Sequence, residues 1–284
     1  MVLESFINPF KAEQHPSRMF FLGLLYFTIS IFLSLLVFRT YSSLMMVFFT
    51  TMASIPLIYN TLKMEEEKDL KDLTETALLK EHSRALSFFM VLFLGITTAA
   101  VFWYVVLPPD TVSILFESQT NTITSINGGV VGAAFRVNLG VFGHILLNNF
   151  KVMVFCILFS FIYGSGAIFI LSWNATVIGT AIGNFIRTNL ALATSMLGLE
   201  KAGHYFQIIS IGLFKYAIHG IPEILAYFTA GLAGGIISVA LIKHDFGTRK
   251  FEHILFDSAD LLIISLLMLV LAAFLEVYVT PVIF

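Results

Sequence analysis

Residues 19–38 form an unbroken apolar stretch without one charged side chain, and about 20 residues at 1.5 Å rise match the roughly 30 Å hydrocarbon core of a bilayer. A helix satisfies its backbone donors and acceptors internally, so such a stretch is predicted to cross a membrane as a helix. The pattern returns along the chain. Residues 44–59 form a second, slightly short span with Pro56 near its end, and residues 85–107 form a third that stops at Pro108-Pro109, which cannot continue a helix. Residues 150–173, 221–242 and 261–280 complete the clear set. Composition agrees: 58% of residues are hydrophobic and 12% charged, against about 25% charged in soluble domains. The expected fold class is all-α, a polytopic transmembrane helix bundle of about six or seven spans.

The segments between these spans differ in chemistry. Residues 60–87 turn abruptly charged, from Lys63 through Glu65, Glu66, Glu67, Lys68, Asp69, Lys71 and Asp72 to Lys80, Glu81, His82 and Arg84. Leu62, Leu70, Leu73, Ala77 and Leu78 recur at helical spacing, so an exposed amphipathic helix with paired opposite charges is predicted. It would serve as a solvated connector or as a docking surface for a soluble partner. Beyond Pro109 a loop rich in Ser, Thr and Asn is expected up to Asn127-Gly128-Gly129. Residues 130–147 are moderately apolar but carry Arg136, Asn138 and His144. Charge facing lipid is costly, so an interfacial or partly inserted helix is expected there. Between Asn174 and Gly220, short apolar pieces are interrupted by Arg187, Asn189, Glu200, Lys201, His204, Gln207 and Lys215. That is the pattern of broken or re-entrant helices.

Basic residues beside the spans set orientation. Lys11 and Arg18, the connector, and the late loop with Lys243, Arg249 and Lys250 all fall on the cytoplasmic side if the region from Asn174 to Gly220 contributes one crossing. The amino terminus is then cytoplasmic and the carboxyl terminus, which lacks basic residues, outside. The first stretch has no small-residue cleavage pattern behind it and reads as a retained span. A formal charge of -2 offers no basic stripe for nucleic acid. The single cysteine, Cys156, excludes an intrachain disulfide and a cysteine-pair metal site. No G-x-S-x-G elbow, no phosphate-binding loop and no pair of His flanking a Glu around His219 is present, so neither an enzymatic activity nor a cofactor is expected.

Polar side chains at membrane depth must be paired, hydrated or functional. Four groups qualify: His144 with Asn148 and Asn149, then Asn174, then His219-Gly220-Ile221-Pro222-Glu223, and finally Glu276 four residues before Thr280-Pro281. His219 and Glu223 share a helix face. Pro222 suits a first helical turn, which would put Glu223 at the positive end of a helix. These groups would either hydrogen-bond neighbouring helices or form a proton, metal or catalytic site, with His219, Glu223 and Glu276 as the metal-ligand candidates. Gly179 with Gly183, and Gly231 with Gly235, have the four-residue spacing that lets helices approach closely, within one chain or in a homodimer.

Taken in order, Asn148-Asn149, Gly164-Ser165-Gly166, Asn174, Gly179, Gly183, His219-Gly220-Ile221-Pro222-Glu223, Ala230-Gly231-Leu232-Ala233-Gly234 and Glu276-Val277-Tyr278-Val279-Thr280-Pro281 resemble the stage II sporulation protein M family. The resemblance runs over residues 85–284 and departs from the pattern at Ala175, where Gly is expected after Asn174. It implies a stage II sporulation protein M-like transmembrane domain at 85–284, preceded at 1–84 by an extension with two spans and the charged connector. It also implies the plasma membrane of a prokaryote. In sporulating bacteria the family implies a membrane scaffold that anchors a peptidoglycan-degrading complex, with catalysis left to its partners. The expected function is a non-enzymatic scaffold contacting membrane lipids and other membrane or envelope proteins. A transporter or channel built on His219, Glu223 and Glu276 is the alternative, ahead of an intramembrane metal-dependent hydrolase.

Overall fold

The structure, a computed structural model, describes residues 17–69, 75–131, 138–163, 166–192, 198–242 and 247–283. Among the described residues the chain is helical, and seven helices are long and apolar enough to cross a membrane. They are α1 (Ser17–Val37), α2 (Ser42–Asp69), α3 (Glu75–Val106), α6 (Asn138–Tyr163), α7 (Ala167–Leu192), α8 (Gly198–Ile242) and α9 (Arg249–Phe274). Shorter pieces are α4 (Pro109–Leu115), α5 (Glu117–Val131) and α10 (Thr280–Ile283). A 3-10 turn, Arg39–Tyr41, joins α1 to α2, and a π-helical turn, Leu275–Val279, joins α9 to α10.

α8 is the central helix: the most apolar stretch of α8 is 83% buried, against 17% for α6 and 22% for α9. Around it one continuous core takes Phe27 and Ile31 from α1, Leu57 from α2, Leu92 from α3, Cys156 from α6, Leu171 from α7 and Leu269 from α9. The two helices that precede residue 85 are therefore built into the same core as the rest. α1 lies against α3 at two glycines, where a side chain on Gly23 would strike the carbonyl of Leu92 and one on Gly95 the carbonyl of Phe20.

Chain direction follows from contacts between named residues. Ser160 sits beside Gly231 and Gly234, while Met153 accepts from Ser265, whose hydroxyl also reaches the Ala226 carbonyl. Both numbers rise together, so α6 and α8 run parallel, and α7 returns between them in sequence. α9 runs antiparallel to α8, pairing Ser265 with Ala226 at one level and Thr280 with His219 at another.

Several sequence expectations change. The second span does not stop near Tyr59, because α2 continues through Pro56 to Asp69. The connector is not simply an exposed amphipathic helix, since Glu65, Glu66, Lys68 and His82 are buried. Glu65 accepts from Lys68 Nζ at 2.6 Å and lies 2.7 Å from His82 Nδ1, an ionic cluster that closes the end of α2 onto α3. The Ser, Thr and Asn segment is helical, not a loop. Pro108 caps α4 and Pro109 takes its first turn, where no helical donor is lost. In α5 the hydroxyls of Thr122, Thr124 and Ser125 bond the carbonyls one turn back, and Gln119, fully buried, donates to Ser43 O and Thr176 Oγ1.

Residues 138–147 are not a separate interfacial helix but the first part of α6. The span expected at 150–173 is two helices: α6 ends at Tyr163, and α7 begins after Gly166, where any side chain would collide with the Phe159 carbonyl. The broken or re-entrant segments expected between Asn174 and Gly220 belong to α7 and to the 45-residue α8, each continuous. Pro222 is inside α8 and not in its first turn, so Glu223 has no helix terminus beside it. Lys11, Leu70, Lys71, Asp72, Leu73, Arg136, Gly164, Ser165 and Lys243 lie outside the described residues.

Candidate functional site

His219, Glu223 and Tyr227 stand one turn apart along α8 and form one row on its surface. Tyr227 is fully buried, and its hydroxyl donates to Glu223 Oε1 at 2.8 Å. His219 Nδ1 is 3.4 Å from Thr280 Oγ1 at the far end of the α9 segment. Thr280 gives its own hydroxyl hydrogen to the Leu275 carbonyl at 3.0 Å. Its oxygen can then accept from His219 in the tautomer that carries the ring proton on Nδ1.

Two helix irregularities meet at this row. Pro222 has no N–H, so the Ile218 carbonyl loses its partner four residues on. Opposite, the chain widens into the π turn that carries Glu276, with the Thr280 N–H reaching back to Leu275 O. π turns insert one extra residue into a helix and re-aim the side chains on it. Here Glu276 comes within electrostatic range of both Glu223 and Tyr227. Cys156 of α6, buried in the core, lies near Tyr227.

Asn149 is buried, and its Nδ2 has no partner among the described residues. Met153, one turn further along α6, shares Ser265 with Ala226. Counting back one turn along two parallel helices puts Asn149 at the level of Pro222 and Glu223. The structure thus gathers His219, Glu223 and Glu276, with Asn149 at the same depth. It separates the other candidates. Asn148 and His144 are exposed on α6, and Asn174 donates to its own helix at Ile170 O.

The glycine faces are internal contacts. A side chain on Gly179 would lie 2.5 Å from Ala100 Cβ and one on Gly183 2.8 Å from Tyr104 Cβ, both on α3. Gly231 meets Ala167 and Ser160, and Gly235 meets Leu62 of α2. Tyr227 and Ser265 were not singled out in the sequence. Tyr227 was legible as the third residue of the His219, Glu223 row; Ser265 is a lone hydroxyl in an apolar run and carries no pattern.

Chemically the cluster offers two carboxyls, a phenol, an imidazole and an amide among apolar helices. Among the described residues no three His, Cys, Asp or Glu side chains are grouped to hold a metal ion. What the groups do in this geometry is join α8 to the α9 segment and place donors and acceptors at the depth of α6.

A bundle of spanning helices joined by buried polar groups is a polytopic membrane protein. The sequence profile of the Stage II sporulation protein M family matches residues 85–281, and the chain belongs to that family. It is 31% identical over 145 residues to an uncharacterized protein of Methanocaldococcus jannaschii, covering 49% of this chain and 71% of that relative. No solved structure matches the chain. The match to the profile starts at α3 and contains the whole polar cluster, while α1 and α2 precede it.

Proposed function

We propose that the protein is a non-enzymatic membrane scaffold that anchors partner proteins of the membrane or envelope. The observation that carries the reading is the tie that buried polar side chains make between α8 and the α9 segment, backed by a bond within the α8 row. Tyr227 donates to Glu223, His219 meets Thr280, and Ser265 donates to Ala226 O. Polar groups in lipid that hold helices together give a rigid platform. A cavity of about 460 Å³ reaches Gly220 and Ile221 of α8, yet His219, Glu223 and Glu276 are not among its lining residues. Partners would meet the cytoplasmic end of α2 and α3 or the exposed apolar faces of α6 and α9. The membrane is the plasma membrane of a prokaryote, with the amino terminus in the cytoplasm and the carboxyl terminus outside.

One observation favours a second reading, an ion or proton carrier: Glu223 and Glu276 lie near each other inside the bundle. Reconstitution separates the two. Liposomes holding a pH-sensitive dye, placed under a proton or sodium gradient, should show no flux above protein-free vesicles. His219→Ala and Glu223→Ala should lower the thermal stability of the purified protein without changing that baseline. Flux in the wild type that both substitutions abolish would replace the scaffold by a carrier.

A further inference from the structure

The cavity of about 460 Å³ is a groove with α7 as its floor and α3 and α8 as its walls. Ile182 and Ile186 line the floor, Phe93 and Phe102 one wall, and Leu213 and Gly220 the other. α3 and α8 meet at Phe93 and Phe228, whose rings are 5.8 Å apart, and the groove opens beyond that contact. Along α3 it extends from Met90 to Val106, about 24 Å at 1.5 Å per residue. Thr97, Thr98 and Tyr216 supply its few polar atoms, and the Thr97 hydroxyl is bonded to the Phe93 carbonyl.

Water needs two to four polar partners to remain in such a space, and the lining does not provide them. The groove is long and apolar, in a part of the molecule where hydrocarbon is the solvent.

The groove lining stays apolar to Val105, Val106 and Leu190, and a charged side chain stands just past it. Pro108 and Pro109 end the α3 span, and because residue 108 has no N–H, the Tyr104 carbonyl is left without its helical partner. Arg187, next to the groove residue Ile186, fills that role. Its Nη1 donates to Tyr104 O at 3.0 Å and to Leu107 O at 3.2 Å. A guanidinium has five N–H donors. Among the described residues nothing engages Nε or Nη2, and no carboxylate pairs with Arg187. At the end of a span an arginine stands at headgroup depth, and a phosphate accepts from its remaining edge in bidentate fashion.

We propose that this groove binds one hydrocarbon chain of an anionic membrane phospholipid, with Arg187 holding the phosphate at the end of α3. The site is independent of the scaffold reading, since it uses none of the polar motif residues. Two substitutions divide it into its parts. Arg187→Gln removes the charge and keeps a donor for Tyr104 O. Gly220→Leu fills the groove from a position where an added Cβ meets nothing within 4 Å, and leucine favours the helix over glycine.

The full chain is placed in nanodiscs of phosphatidylglycerol and phosphatidylcholine, and lipids retained after detergent release are counted by native mass spectrometry. The wild type should keep one phosphatidylglycerol in preference to phosphatidylcholine. Arg187→Gln should cut that preference about tenfold, the effect of losing a charge-assisted hydrogen bond. Gly220→Leu should lower retention of both lipids. A melting curve checks each variant, and Ala217→Phe, also in the groove wall, replaces Gly220→Leu if the latter does not fold. Equal retention of the two lipids by the wild type overturns the proposal, as does unchanged retention in the groove variants. A dimer lost on filling the groove, with lipid retention unchanged, would assign the groove to a second copy of the chain and also overturn it.

Discussion

Tyr227→Phe isolates the bond at the centre of the cluster. The ring keeps its shape and its place in the core, so no cavity larger than one oxygen is made. What is lost is the donor to Glu223 Oε1 at 2.8 Å. A hydrogen bond to a charged group contributes about 1.5–3 kcal/mol in soluble proteins. Hydrogen bonds between membrane helices average about 0.6 and reach about 1.7 kcal/mol. Both partners here are inside the bundle, so the expected loss is about 1.5 kcal/mol, or tenfold in the unfolding constant. Trp103 and Trp173 provide a fluorescence signal for unfolding by SDS in mixed micelles. The same substitution in a Glu223→Ala background should cost about 0.3 kcal/mol or less, since the acceptor is already gone. A loss below about 0.5 kcal/mol in the wild-type background, or an equal loss in both backgrounds, refutes the assignment of this bond as a stabilising contact of the α8 row.

Gly183→Leu should lower stability by about 1–3 kcal/mol, because α3 and α7 must part to admit the side chain beside Tyr104. The mass of the purified particle by light scattering should not change; a loss of dimer with unchanged melting would place this glycine at an oligomer interface. Glu65→Ala should destabilise by about 3–5 kcal/mol, since it leaves Lys68 and His82 buried beside an empty acceptor site, and Glu65→Gln should cost less. Equal effects of the two substitutions would show that the cluster does not act through charge. For orientation, Cys156→Ser provides a cysteine-free chain. In that background Val282→Cys should react with a membrane-impermeant maleimide on intact cells, and Lys250→Cys only after permeabilisation. The opposite pattern would invert the topology.

What the sequence reveals depends on whether a residue's role is visible in its own neighbourhood. α1, α3 and α9 were legible because their composition is uniform over a membrane's thickness. The boundary between α6 and α7 was not, since Gly166 reverses the chain between two stretches of equal apolarity. Hydropathy averages across such a turn. Glu65, Lys68 and His82 read as solvated because each is charged or polar alone; only the approach of α2 to α3 makes them a buried cluster. Ser118 to Ser125 resemble a loop until their hydroxyls are seen bonding their own helix. The pairing of His219 with Glu223 followed from four-residue spacing, whereas the arrival of Glu276 depends on the π turn, which no spacing rule signals.

The continuity of α8 through Pro222 connects these observations. In water, proline commonly ends a helix, because the freed carbonyl can bond to solvent. At membrane depth no solvent is available, so ending the helix would strand more backbone groups than continuing it. The defect is therefore kept as one missing N–H at Pro222 and placed where other polar groups already gather. The π turn of the α9 segment is the matching defect on the facing helix, and Thr280 ties it to His219 one turn from the proline. Two local irregularities, each costly in lipid alone, are accommodated at one depth in the bundle. Replacing Pro222 by alanine restores the missing N–H, so it should stabilise α8 taken alone while loosening its fit to the π turn. The His219 to Thr280 contact, followed by imidazole NMR in the Pro222→Ala protein, should weaken; an unchanged imidazole signal would mean that the two irregularities are independent.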